Sequence, residues 1–167
     1  MNLSKMYTKV YEKPCYVRIL KLFSHFCEVL FAFALGLSLF DAYRASKALA
    51  LSFFGLSFLS FIIITVVRRV VNAPRPADLF PELEFLKGRK PSPAFPSRHT
   101  FSASLIAALV LYFSPIFGGV LLFLSLLLGA SRIALGKHFP RDVVCGWLLG
   151  VLSGALVIIF SYNIIIA

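Results

Sequence analysis

Residues 100–131 run for 32 positions without a charged side chain. A single bilayer crossing takes ~20 apolar residues, so this stretch predicts membrane spans, and more than one. Ser114-Pro115 and Gly118-Gly119 divide it, because proline has no N–H for a helix interior and its ring clashes with the preceding turn. Residues 22–40, 48–67 and 143–167 are further apolar runs, the first with His25 and Glu28 inside it. The chain reads as an all-α, polytopic membrane helix bundle of about five transmembrane helices. The spans are expected near 22–40, 48–67, 98–113, 116–132 and 142–163, in one domain covering 22–167. Composition agrees: 59% of residues are hydrophobic and 14% charged, against about 25% charged in soluble domains. That excludes an ordinary soluble enzyme, a disordered tail and a secreted disulfide scaffold. Cys15, Cys27 and Cys145 read as small hydrophobes. No cleavable signal peptide is expected, since the first long apolar run starts too deep.

Residues 1–21 follow another rule. Leu3, Met6, Tyr7, Val10 and Tyr11 recur at helical spacing, with Lys5, Lys9 and Lys13 off that stripe and Pro14 ending it. This predicts an N-terminal interfacial amphipathic helix lying on the membrane. Gly146, Gly150 and Gly154 place a small-residue stripe on the last helix, read as a packing face. The 68–99 loop holds six of the nine prolines, an apolar stretch (Leu79, Phe80, Leu83, Phe85, Leu86) and a basic cluster (Lys87, Arg89, Lys90). Loops of this length are more often functional than mere connectors.

The 17 basic residues exceed the 7 acidic ones by ten, and a five-span layout sorts them by side. The N-terminal helix, the 68–99 loop and the 132–142 loop share one face and carry all of them except Arg44 and Lys47. Three groups converge there. Arg68 and Arg75 lie seven apart, on one helical face if the second span runs on toward Pro74. Two guanidiniums suit a tetrahedral oxyanion, because each planar fork donates in pairs. Ser97 is placed to cap the third span, whose first N–H groups can hold an anion, and His99 sits in the first turn. His138 precedes a helix starting at Pro140, four residues before Asp142. That carboxylate can accept from one ring nitrogen and leave the other as a nucleophile. A phosphate cradle, an activated nucleophile and a second histidine are what phosphoryl transfer requires. The acidic residues of this face (Glu12, Asp78, Glu82, Glu84, Asp142) form no cluster in the sequence, so neither a metal nor another cofactor is expected.

Arg68-x6-Arg75-Pro76, Pro96-Ser97-Arg98-His99 and Ser131-Arg132-x5-His138-x3-Asp142 resemble the three signature motifs of the type 2 phosphatidic acid phosphatase family. Arg68 stands where the family usually has lysine, Arg98 where it often has glycine, and the basic N-terminal helix replaces a sixth span. The resemblance implies catalysis by His138, which forms a phosphohistidine, by Asp142, which orients it, and by His99, which protonates the leaving lipid oxygen. Arg68, Arg75, Ser97 and Arg132 would bind the phosphoryl oxygens, with Arg98 an addition. It further implies a bacterial inner-membrane protein whose site faces the periplasm, although its fifteen-cation face would by charge alone lie in the cytoplasm. The implied substrates are lipid A 1-phosphate, undecaprenyl diphosphate or phosphatidylglycerophosphate, the first favoured slightly by the extra basic groups. Anionic lipids are expected as surroundings; no nucleic-acid partner is expected. A lipid phosphotransferase on the same scaffold would need an acceptor lipid. A non-enzymatic lipid-binding or transport protein would use the cations for headgroups alone. His25 and Glu28 fit either a headgroup or proton role or a polar pair inside the bundle.

Overall fold

A computed structural model describes residues 3–79 and 93–166. Helix α1 spans Leu3–Tyr11, α2 Pro14–Ala45, α3 Lys47–Val71, α4 Pro76–Leu79, α5 Arg98–Phe113, α6 Pro115–Ala134 and α7 Pro140–Ile166. Among the described residues there is no strand. Four helices (α2, α3, α6 and α7) are long and apolar enough to cross a membrane. Helix α5 is shorter, 16 residues or about 24 Å of rise, and packs against all four of them. Buried side chains occupy nearly every position from Thr100 to Leu109, on all sides of that helix. It is therefore the axis of the bundle, as a helix apolar all round should be. The outer helices expose Phe26, Phe33 and Phe40 on α2, Phe58 on α3, Phe123 on α6 and Leu148 on α7, an apolar belt suited to acyl chains.

The glycine stripe makes the closest approach. A Cβ built on Gly146 would stand 2.6 Å from the Ser97 carbonyl oxygen. One on Gly150 would stand 2.0 Å from Ser104 Oγ and 2.3 Å from the Phe101 oxygen; one on Gly154, 2.5 Å from Ala108 Cβ. Helices α5 and α7 thus meet backbone to backbone, the arrangement that small residues permit in lipid, where apolar surface alone gives no drive to associate. Gly118 does the same at the other end, against the Leu111 backbone. There Ser114 both ends α5 and starts α6, with Pro115 in the first turn.

The structure moves several expected boundaries. Pro14 begins α2, so the first span extends back from 22 to Pro14 and the N-terminal helix ends at Tyr11 rather than 21. Proline stops one helix and suits the first turn of the next, which accounts for the shift. The second span does not run on to Pro74. It ends at Val71, with Asn72 left-handed at φ 42° and its N–H bonded to the Arg68 oxygen. Arg75 thus lies beyond the helix that carries Arg68, and the two do not share a helical face. Nor does α1 spend its whole apolar stripe on the bilayer: Tyr7 is fully buried and Tyr11 donates to the Leu135 oxygen at 3.2 Å. The proposed loop residues between 80 and 92, the basic cluster among them, lie outside the described residues.

Substituting Gly150 by leucine should cost on the order of 3 kcal/mol and lower the melting temperature by about 6–12 °C. Gly36→Ala, on an open face of α2, should change stability by less than about 1 kcal/mol. Thermal unfolding in detergent, followed by Trp147 fluorescence, measures both.

Candidate active site

The site assembles where α3, α5, α6 and α7 end on one side of the bundle. Helix α6 stops in a paired-turn cap: Gly136 at φ 62° lets its own N–H reach the Ile133 oxygen (2.9 Å) and that of Lys137 reach the Arg132 oxygen (3.0 Å). Two residues later comes His138, 3% exposed. Helix α7 then opens with Pro140 in its first turn, and Asp142 Oδ2 accepts from the Phe139 N–H at 2.9 Å. The pattern X-Pro-x-Asp is a compact helix start, with proline where no donor is needed and a carboxylate reaching back to the cap N–H. Arg75-Pro76-Ala77-Asp78 repeats it at α4, where Asp78 Oδ2 accepts from the Arg75 N–H at 2.9 Å. This second device fixes Arg75 without help from α3.

Asp142 is fully buried and does more than cap. Its Oδ2 faces His138 Nδ1 at 3.7 Å, close enough to select the tautomer after a small adjustment. Its backbone oxygen accepts the Ser97 N–H at 2.9 Å, tying the start of α7 to the start of α5. Ser97 is buried too, and its hydroxyl shares a 3.0 Å hydrogen bond with Thr100 Oγ1 rather than capping α5. Burial pushes the His138 imidazole below the ordinary histidine pKa; Asp142 pulls it up, and the Arg75 and Arg68 charges push it down. The ring is therefore neutral at pH 7, with Nε2 the nitrogen turned away from Asp142.

Arg68 has a task that its position in the motif did not signal. Its guanidinium donates to the oxygens of Ala94 (3.1 Å), Pro96 (2.5 Å) and Pro93. It thus clamps the segment leading into Ser97, and at most two of its five donors are left for a ligand. Arg98 is exposed at the mouth of a groove of about 380 Å³ between α2, α3, α5 and α6, lined also by Glu28, His99, Leu35 and Phe61. A second apolar hollow lined by Leu35, Phe54, Phe58 and Phe61 continues it along α2 and α3. Arg132, 3% exposed, extends to the Glu28 carboxylate, and Glu28 Oε1 also lies 3.4 Å from His99 Nε2.

The structure thus brings the sequence-derived residues to one end of the bundle. His138, Asp142 and Ser97 are in direct contact or one bond apart. Arg68 and Arg75 act electrostatically on His138, and Arg132 on His99. Two participants were not among the site residues named from sequence. Glu28, left open there between a headgroup or proton role and a polar pair inside the bundle, meets His99 and Arg132. Tyr7 is the other: it is fully buried, burial raises its hydroxyl pKa and the nearby Asp142 charge raises it further, while Tyr11 of the same helix bonds the Leu135 oxygen at the end of α6. Among the described residues, no three His, Cys, Asp or Glu side chains are grouped to hold a metal ion.

Known proteins resemble this chain in sequence and in fold. The bacitracin transport permease protein BcrC of Bacillus licheniformis is 29% identical over 133 residues, 77% of this chain and 64% of that protein. An undecaprenyl-diphosphatase of Sulfolobus acidocaldarius is 32% identical over 97 residues, 57% of this chain and 47% of that protein. The chain thus spans less than two thirds of the length of these relatives. The crystal structure of Aquifex aeolicus LpxE superposes with a TM-score of 0.67 at 24% identity, covering 94% of both chains. The PAP2 superfamily pattern matches residues 49–166, from the second span through both histidine motifs to the last helix, and the chain is a multi-pass membrane protein belonging to that superfamily.

Proposed function

We propose that this protein is a metal-independent lipid phosphatase that removes a phosphate from a membrane lipid through a phosphohistidine on His138. The observation that carries the reading is the junction at His99, where Arg98, His99 and Glu28, with Arg132 and His138 nearby, stand at one end of an apolar groove flanked by lipid-facing helices. A phosphate ester with a long hydrocarbon tail has that division of polarity. His138 Nε2 attacks phosphorus as the bond to the lipid oxygen breaks, and His99 gives its proton to that oxygen. Water then attacks the phosphohistidine, His99 takes the water's proton, and inorganic phosphate leaves with His138 regenerated. Arg75, Arg132, Arg98 and the remaining donors of Arg68 hold the phosphoryl oxygens, with Ser97 at the start of α5. Their charge matters because phosphate-ester hydrolysis is among the slowest reactions that enzymes accelerate.

The relatives named for undecaprenyl diphosphate move the preferred substrate from lipid A 1-phosphate to a polyprenyl diphosphate. The proposed location is a bacterial inner membrane with the site facing the periplasm. In intact cells, cysteines placed in the 41–47 connection should then resist membrane-impermeant thiol reagents. Labelling there would reverse the orientation.

The purified protein in detergent should release inorganic phosphate from lipid phosphates in excess chelator, without an acceptor lipid. Vanadate should block it, and His138→Ala should lower the rate about 10³-fold or more. Loss of activity on chelation would overturn the metal-free mechanism.

The nucleophile must be unprotonated, and its folded-state pKa is depressed. The acid limb of activity should therefore lie below the ordinary 6.5 of histidine, while loss of the His99 proton sets a separate alkaline limb. Arg75→Gln removes one of the depressing charges and should move that acid limb of kcat/KM upward. A limb at or above the ordinary value in the unaltered protein would mean that another group titrates.

A further inference from the structure

Glu28 is the acidic side chain within the apolar run 22–40, and a carboxylate there is costly unless partnered. Its partners are on two other helices. Oε1 meets the Arg132 guanidinium of α6 and lies 3.4 Å from His99 Nε2 of α5; Oε2 lies 3.8 Å from His25 Nδ1 on its own helix. Its side chain is 41% exposed, toward the groove that also receives Arg98 and His99. A mere helix-to-helix staple would be met by Arg132 alone. The second contact, to the ring assigned proton transfer, is the one that asks for an explanation.

On the phosphatase reading, we propose that Glu28 is a positioning residue for His99, accepting from its Nε2–H so that the Nδ1–H of the imidazolium is presented to the leaving lipid oxygen. Each histidine then has its own carboxylate: Asp142 from α7 orients the nucleophile, and Glu28 from α2 orients the acid. The ring would otherwise be surrounded by cations and by a second histidine, with Arg132 on α6, Lys137 and His138 in the turn after it, and Arg98 beside it on α5. The Glu28 charge offsets the Arg132 cation beside the proton donor. Because α2 lies outside the 49–166 family match, the device belongs to this chain's first long helix rather than to the three motifs.

The test uses leaving groups of different proton demand. An alkoxide must be protonated as it departs, whereas p-nitrophenolate need not be, so only the former depends on the acid. With dioctanoyl phosphatidic acid, Glu28→Gln should lower kcat on the order of 10–100-fold while KM changes by less than about threefold. With p-nitrophenyl phosphate the pre-steady-state release of p-nitrophenol, which precedes the water step that His99 also serves, should slow less than about threefold in the same variant, and Glu28→Asp should recover part of the lipid activity. Equal losses on both substrates, an effect confined to KM, or no effect would overturn the proposal, since a role through Arg132 or through folding does not discriminate between leaving groups. If the Gln variant fails to fold, the ratio of the two activities in Glu28→Asp carries the same decision. An unaltered protein inactive on both substrates would overturn the phosphatase reading, and this proposal with it.

Discussion

A carboxylate sealed from solvent depends on what its surroundings offer, and the site is arranged around one, Asp142. Its Oδ2 is held by a hydrogen bond, while its buried Oδ1 has, among the described residues, only the Arg141 charge at 3.7 Å. Asp142 makes its contacts in three directions: its Oδ2 to the Phe139 N–H, the same oxygen to His138, and its backbone oxygen to the Ser97 N–H. Burying an unpaired carboxylate would cost several kcal/mol. The capping bond secures it before any chemistry is considered. Because the cap sits at the first turn of α7, the carboxylate also lies at the positive end of that helix dipole. Removing Asp142 would therefore loosen the α7 start, the tie to α5 and the orientation of His138 together.

The same economy governs the cations. Several guanidiniums crowded together repel one another, and each needs a local counterweight. Arg68 finds three backbone carbonyls, and Arg132 finds Glu28. These contacts hold the side chains extended, so on the phosphatase reading little rotamer entropy would be lost on binding a phosphate. They also separate two roles that sequence places in one class. Arg68 acts chiefly on the loop that presents Ser97, whereas Arg98 faces the open groove.

What the sequence discloses follows from the range of the interaction. Spans and their breaks are local: the proline at 115, the run of 32 uncharged residues and the glycine stripe are sufficient by themselves, and α5, α6 and α7 fall where they place them. The start of α7 at Pro140 is equally local. One expectation failed for a local reason that outweighed the pattern used. Arg68 and Arg75 suggested a continuing helix, but Asn72 takes a left-handed conformation and ends it, and Arg75 is instead fixed by its own Pro-x-Asp start. The X-Pro-x-Asp repeat was present to be read, since its meaning depends on four consecutive residues. Glu28 and Tyr7 were not. Glu28 is 104 residues from Arg132, and periodicity within α2 carries no information about α6. Only the physical oddity of a carboxylate in an apolar helix marked it.

That oddity bears on why the site sits at the membrane surface end of a helix bundle. A soluble enzyme can orient two histidines from loops. In a bilayer, backbone away from helices has to be buried in protein or line a cavity, so orienting groups are better supplied by helix side chains. Helix α7 supplies one carboxylate from its first turn and α2 the other from its interior, beside His99 in the first turn of α5. His138 is thereby enclosed, at 3% exposure, while His99 is 45% exposed toward the groove. On the proposed mechanism that asymmetry is expected, because the nucleophile works as a neutral ring held by its buried carboxylate, whereas the acid has to reach an oxygen still attached to a lipid.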